Sequence, residues 1–235
     1  MATSIPVEVL SAVFQVGELG SETDQRPTLQ VLLQQTGDPD HSPGGSTWSL
    51  PGGDIGERES LAAAARRHLG AQAGLTRIAH LEQLAVLSAP DRVPRERTIA
   101  STYLGLVPRD VPADPAATAA WFDVDALPAL VYDHAEVIEL ARGRLAGKLS
   151  YTNLAFALAP ERFAMSELSE IYTAALGHHV DATNLLRVLS RRGVVVSTGT
   201  VGRTGRSGGR PPALYTFADD ELVVTDEFAT LRPPP

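Results

Sequence analysis

The pattern that most constrains this chain lies between Gly52 and Leu75. Gly53 is followed after five residues by Glu59 and after seven more by Arg67, with Leu69, Gly74 and Leu75 closing the frame. Within it Ser60–Ala73 is rich in alanine and arginine and reads as a helix stopped by Gly74. The Gly52-Gly53 pair just before it allows close approach of the backbone, and the first N–H groups of a helix have no partners of their own. A glycine loop feeding a helix start is therefore a natural seat for a diphosphate.

Around this frame the apolar residues fall into short runs. Val7–Val16, Leu29–Gln34, Leu81–Leu87 and Ile99–Val107 read as strands, with a polar loop at Asp91–Arg97. A proline-rich stretch from Pro108 leads to Trp121-Phe122, and Asp133 is placed to cap a helix running to about Leu145. Strands alternating with helices predict a mixed α/β unit over residues 1–147. Beyond Gly147 the pattern changes. One helix carries Leu168, Ile171, Tyr172, Ala175 and Leu176 at helical spacing, with Ser166 as its expected cap and Gly177 as its stop. A second runs from an Asp181 cap to a Gly193 stop, and two strands, Val194–Val196 and Leu214–Phe217, flank a Gly/Arg loop. Helix, turn, helix and hairpin predict a winged helix-turn-helix over residues 148–235.

Charge supports this division. From Asp181 to Phe217 six arginines face one acid, a local +5, so the rest of the chain carries −13 of the total −8. A basic module behind an acidic body is the electrostatic footprint of a domain that meets phosphate backbones. The absence of cysteine excludes disulfides, thiol catalysis and cysteine-bound zinc, and the adjacent His178 and His179 lack metal-ligand spacing, so no metal site is expected. No apolar run is long enough to span a bilayer and no leader-like N-terminus is present, which makes a cytoplasmic protein with no membrane partner the expectation.

The Gly53–Leu75 frame, with Trp48-Ser49-Leu50-Pro51-Gly52 before it and Trp121–Pro128 after it, resembles a Nudix box and its flanks. In an active member of that family the box arginine is followed by a glutamate, with two more glutamates three and four residues later. Here those positions are His68, Ala71 and Gln72. Neutral groups bring none of the charge that a divalent cation needs, so no catalytic residue is expected. Glu57 and Glu59 remain, and Glu59 reads as a charge at the helix N-terminus or a partner for Arg67.

The whole chain is similar to the Nudix-related transcriptional regulators (NrtR), an α/β Nudix-like sandwich joined to a winged helix-turn-helix. Further anchors are Asp91–Arg97, Asp133–Glu136 and Arg206–Pro212, whereas Gln34-Gln35 replace an expected basic pair. The resemblance implies a repressor of NAD-metabolism genes that binds double-stranded operator DNA as a homodimer and is released by ADP-ribose or a related nucleotide. No other cofactor is implied. The alternative is a Nudix-type hydrolase with an atypical metal site.

The candidate ligand residues are Trp48, Gly52, Gly53, Arg92, Arg95 and Arg97. Guanidinium forks match phosphate oxygens; Trp48 either stacks on a base or closes the sheet. On the second helix Thr183, Asn184 and Arg187 lie where side chains reach base edges, and Arg191 and Arg192 where they meet phosphate. Arg203, Arg206 and Arg210 sit in a glycine-rich wing suited to a minor groove.

Overall fold

The computed structural model describes residues 5–19, 26–36, 47–94, 96–110, 118–202 and 211–226. The chain forms two compact units, one of residues 1–15, 29–107 and 111–144, the other of residues 16–28, 108–110 and 145–235.

The first unit is a mixed α/β layer. Its strands are β1 (Val7–Leu19, whose last residues count with the second unit), β2 (Arg26–Thr36), β3 (Thr47–Ser49) and β4 (Gly52–Asp54). Helix α1 (Leu61–Ala73) follows, then β5 (His80–Leu87), β6 (Ile99–Leu106), β7 (Ala119–Asp123) and α2 (His134–Leu149). The sheet order is β3-β2-β1-β6-β5, with β4 on β1 and β7 on β2. β1 and β6 run parallel, from Val7 opposite Ile99 to Phe14 opposite Leu106. Every residue from Val9 to Phe14 is buried, as expected for a strand covered on both faces.

α1 begins where the sequence places it. Ser60 Oγ accepts from the Ala63 N–H at 3.2 Å, and Gly74 ends the helix at φ 68° with its N–H on the Leu69 carbonyl. Ala64, Ala65, Leu69 and Ala73 form its buried face. They meet Val9, Val13, Leu32, Tyr103 and Val107 of the sheet side. Three of the four are alanines, which lets the helix axis approach the strands closely. α2 runs four residues beyond the expected Leu145, because Leu149 continues the buried row of Val137, Ile138, Ala141 and Leu145.

The second unit holds a 3-10 turn at Leu154–Ala157, then β8 (Phe163–Ala164), α3 (Met165–Leu176), α4 (Ala182–Arg191), β9 (Val195–Val201) and β10 (Ala213–Phe217). The small sheet is ordered β8-β10-β9. Ser166 is not the cap expected of it: α3 starts from Ala164, which has no side-chain cap. Pairing of Phe163 and Ala164 with Tyr215 and Leu214 keeps the chain extended up to Ala164, so the helix begins directly after it. The turn between α3 and α4 is tied back to α3. Ser169 Oγ donates to the Val180 carbonyl at 2.5 Å, and Thr173 Oγ1 accepts from the Val180 N–H at 3.0 Å. Phe163 and Phe217 pack with ring centroids 5.1 Å apart, and Leu168, Ile171, Leu185 and Leu189 complete the core.

Candidate ligand loop and nucleic-acid interface

The loop entering α1 is held by the helix itself. Arg67 grips Glu59 through Nε to Oε1 at 2.9 Å and Nη2 to Oε2 at 2.7 Å, and Nη2 also donates to the Asp54 carbonyl at 2.9 Å. The Gly56 N–H donates to Glu59 Oε2 at 3.0 Å. The bonds from Arg67, then that from Gly56, hold the Glu59 carboxyl down to about 2, so it is ionised and both its oxygens are engaged. One turn on, the Gln72 amide accepts from the Gly52 N–H at 2.9 Å and donates to the Gly52 carbonyl at 2.8 Å. Its Nε2 also lies 3.2 Å from His68 Nδ1, and His68 Nε2 lies 2.9 Å from the Asp54 carbonyl. A carbonyl only accepts and an amide N–H only donates, so this chain of bonds selects the neutral imidazole with its proton on Nε2.

The glycines answer to the protein around them. A Cβ on Gly52 would stand 2.1 Å from the Val9 carbonyl, because β4 pairs with β1 there. Gly53 adopts φ +145°, and a Cβ on it would stand 2.9 Å from the His68 ring. The close approach expected toward a ligand is thus made toward β1 and His68. Trp48 is half-buried, stacked edge-on against Phe122 at 4.6 Å.

Arg92 departs from its expected place. Its side chain is 1% exposed, with Nε and Nη2 on the two Asp133 oxygens at 2.8 Å each and Nη1 on Glu8 at 2.6 Å. The guanidinium fork is closed around two carboxylates of the unit instead of presented to a phosphate. Asp133 therefore reaches Arg92 with its side chain and α2 only with its backbone carbonyl, which accepts from the Val137 N–H at 3.3 Å. The next residue, His134, accepts the Leu50 N–H on Nδ1 at 2.9 Å, and burial pushes its imidazole down to about 4. Arg97 is exposed, and Arg95 lies outside the described residues.

In the second unit Asp181 caps α4, its Oδ1 accepting from the Asn184 N–H at 2.7 Å. Leu185 and Leu189 face inward, and Thr183, Asn184, Arg187 and Arg191 are exposed. Arg187 Nη2 donates to Asn184 Oδ1 at 2.7 Å, aligning a donor fork with an amide on one outward face. Arg192 is corrected from the expected phosphate contact. Its Nη1 donates to the Ser150 carbonyl at 2.9 Å and its Nη2 to Asp226 at 2.7 Å, which ties the end of α4 to the segment after α2 and to the segment after β10. Arg203, Arg206 and Arg210 lie outside the described residues.

Against known proteins, the Nudix domain family matches residues 21–141, and the NrtR DNA-binding winged helix domain matches residues 155–217. The chain belongs to the NrtR family. An ADPR responsive transcriptional repressor NtrR of Acinetobacter baylyi is 32% identical over 197 residues, covering 81% of this chain and 76% of that protein. The crystal structure of Shewanella oneidensis NrtR superposes with a TM-score of 0.72 at 26% identity, over 90% of this chain and 93% of the other. The same figures hold for that organism's NrtR complexed with a 27mer DNA.

Within this NrtR-family chain, sequence reasoning missed Glu8 and Asp133 as the partners of Arg92, and Asp226 as the partner of Arg192. It had one signal for the Gln72–His68 pair, their spacing of four residues on one helix face, but none for the loop backbone they hold.

Proposed function

We propose that this protein is a DNA-binding transcriptional repressor of NAD-metabolism genes, released from double-stranded operator DNA when ADP-ribose or a closely related nucleotide occupies its Nudix unit. The observation that carries the reading is one chain joining a Nudix domain to an NrtR winged helix, aligned over most of its length with a repressor named as ADPR responsive. The exposed row of Thr183, Asn184, Arg187 and Arg191 supports α4 as the helix that enters the major groove. Trp48, the Gly52-Gly53 loop and Arg97 are the described residues offered to the nucleotide, and Arg95 is the loop residue beyond them. We assign residues 1–147 to sensing and 148–235 to DNA binding, and we infer a homodimer, since paired half-sites are the usual route from weak single winged helices to specific binding.

The donor set supports a sensor and not a hydrolase. Around α1 the groups that a magnesium ion would need are Glu59, with both oxygens on Arg67 and Gly56, and the uncharged His68 and Gln72, bonded to the loop backbone. Among the described residues no cluster of three or more His, Asp or Glu is arranged to hold a metal ion. These residues do not fit the cation of a Nudix hydrolase.

Release requires that the nucleotide bind the two arrangements of the protein with different affinity. A mobility shift on the DNA upstream of the chain's own gene neighbourhood tests the proposal: a retarded band that fades with added ADP-ribose is expected. A band indifferent to ADP-ribose, or none at all, overturns it.

A further inference from the structure

Three polar side chains of α1 close on the loop backbone, taking the Gly52 N–H and carbonyl and the Asp54 carbonyl. Gln72 takes both the N–H and the carbonyl of Gly52, and its remaining N–H reaches His68. His68 and Arg67 both donate to the Asp54 carbonyl at 2.9 Å. The His68 ring lies over Gly53, the one residue of the loop whose φ of +145° demands glycine. We propose that His68 and Gln72 are positioning residues that hold Gly52–Asp54 in the nucleotide-binding shape without a divalent cation, so that ligand binding by this chain is independent of magnesium. The inference rests on the reading of the first unit as a nucleotide sensor.

Chemistry singles out the amide at position 72. An ionised glutamate there would still accept from the Gly52 N–H, but it would set a negative oxygen against the Gly52 carbonyl and offer His68 no proton. Gln72→Glu therefore breaks two bonds and adds a repulsion while leaving size and helix propensity nearly unchanged. With two hydrogen bonds lost, the loop population that accepts ligand falls roughly tenfold or more.

The test uses the full chain in two readouts. Calorimetry with ADP-ribose, in chelator and in magnesium, is expected to give one Kd for the wild type in both and a roughly tenfold weaker Kd for Gln72→Glu in chelator, with the fold and operator affinity retained. A wild-type Kd that collapses in chelator overturns the proposal, as does a Gln72→Glu variant that binds as tightly as wild type there. Hydrogen exchange without ligand reads the loop itself. The Gly52 N–H should be protected in the wild type, equally with and without magnesium, and loss of its side-chain acceptor should speed exchange in Gln72→Ala. Protection that appears only with magnesium refutes the inference. If no nucleotide binds at all, the proposed function fails while the exchange experiment still decides the role of Gln72 and His68.

Discussion

Replacing Arg92 by methionine separates two assignments of one side chain. In the structure the guanidinium makes three charge-assisted bonds of 2.6 to 2.8 Å to Glu8 and Asp133, whose side chains are 21% and 17% exposed. Methionine fills much of the volume but leaves two carboxylates facing one another without a cation. Removing one partner from a buried ion pair costs about 3–5 kcal/mol, a large part of a typical domain stability of about 5–15 kcal/mol. With a urea m-value of about 2 kcal/mol/M, the midpoint should fall by roughly 1.5–2.5 M. Adding Glu8→Gln and Asp133→Asn to Arg92→Met should recover part of the loss, since the three residues form one network. Urea unfolding followed by circular dichroism, with ADP-ribose titration of each variant, reads both outcomes. A loss below about 1 kcal/mol together with a large loss of nucleotide affinity at intact fold would show that Arg92 faces ligand and that the clamp does not form.

Further outcomes can be measured on each unit. Arg187→Ala should cost about 1–3 kcal/mol on the cognate operator and little on random DNA in fluorescence anisotropy; equal losses would mean that α4 does not read bases. Arg192→Ala should lower the melting temperature of the second unit through loss of the Ser150 and Asp226 bonds. If it instead leaves stability alone and reduces the salt slope of binding by about one, it is a phosphate contact. His134 titrates near 4 when folded, below its ordinary 6.5, so the unfolded chain binds more protons between these values. Its contribution is full above pH 6.5 and is lost as pH falls through 4. Thermal melts across this window should show the decline, and His134→Gln, which keeps an acceptor for Leu50, should flatten it.

How much of this was legible in the sequence depended on the range of the interaction. α1 was readable because its start and stop signals, Ser60 and Gly74, are local. The same holds for α4, with Asp181 before it and buried leucines four apart. β8 was not readable: two residues carry no period, and only their pairing with β10 makes them a strand and moves the start of α3 off Ser166. The site divides in the same way. The Glu59–Arg67 partnership follows from residues eight apart near one helix, and the sequence suggested it. Arg92 looked like a free guanidinium in a polar loop because its partners stand 84 residues before it and 41 after it. Composition shows charge; it does not show which charges the fold neutralises.

The parallel pairing of β1 with β6 bears on how this chain is made. On the ribosome β1 emerges ahead of β2 and β6, and one flank finds β2 soon afterwards. Its other flank belongs to a strand that begins at Ile99, opposite Val7. At about 5–20 residues per second, the interval between the two is roughly 5–20 s. Throughout it the run from Val9 to Phe14, which the finished protein buries completely, sits on an open edge with unpaired N–H and carbonyl groups. Translation speed and the supply of holding chaperones thus bear most heavily on the first strand, and slow codons between β2 and β6 lengthen its exposure.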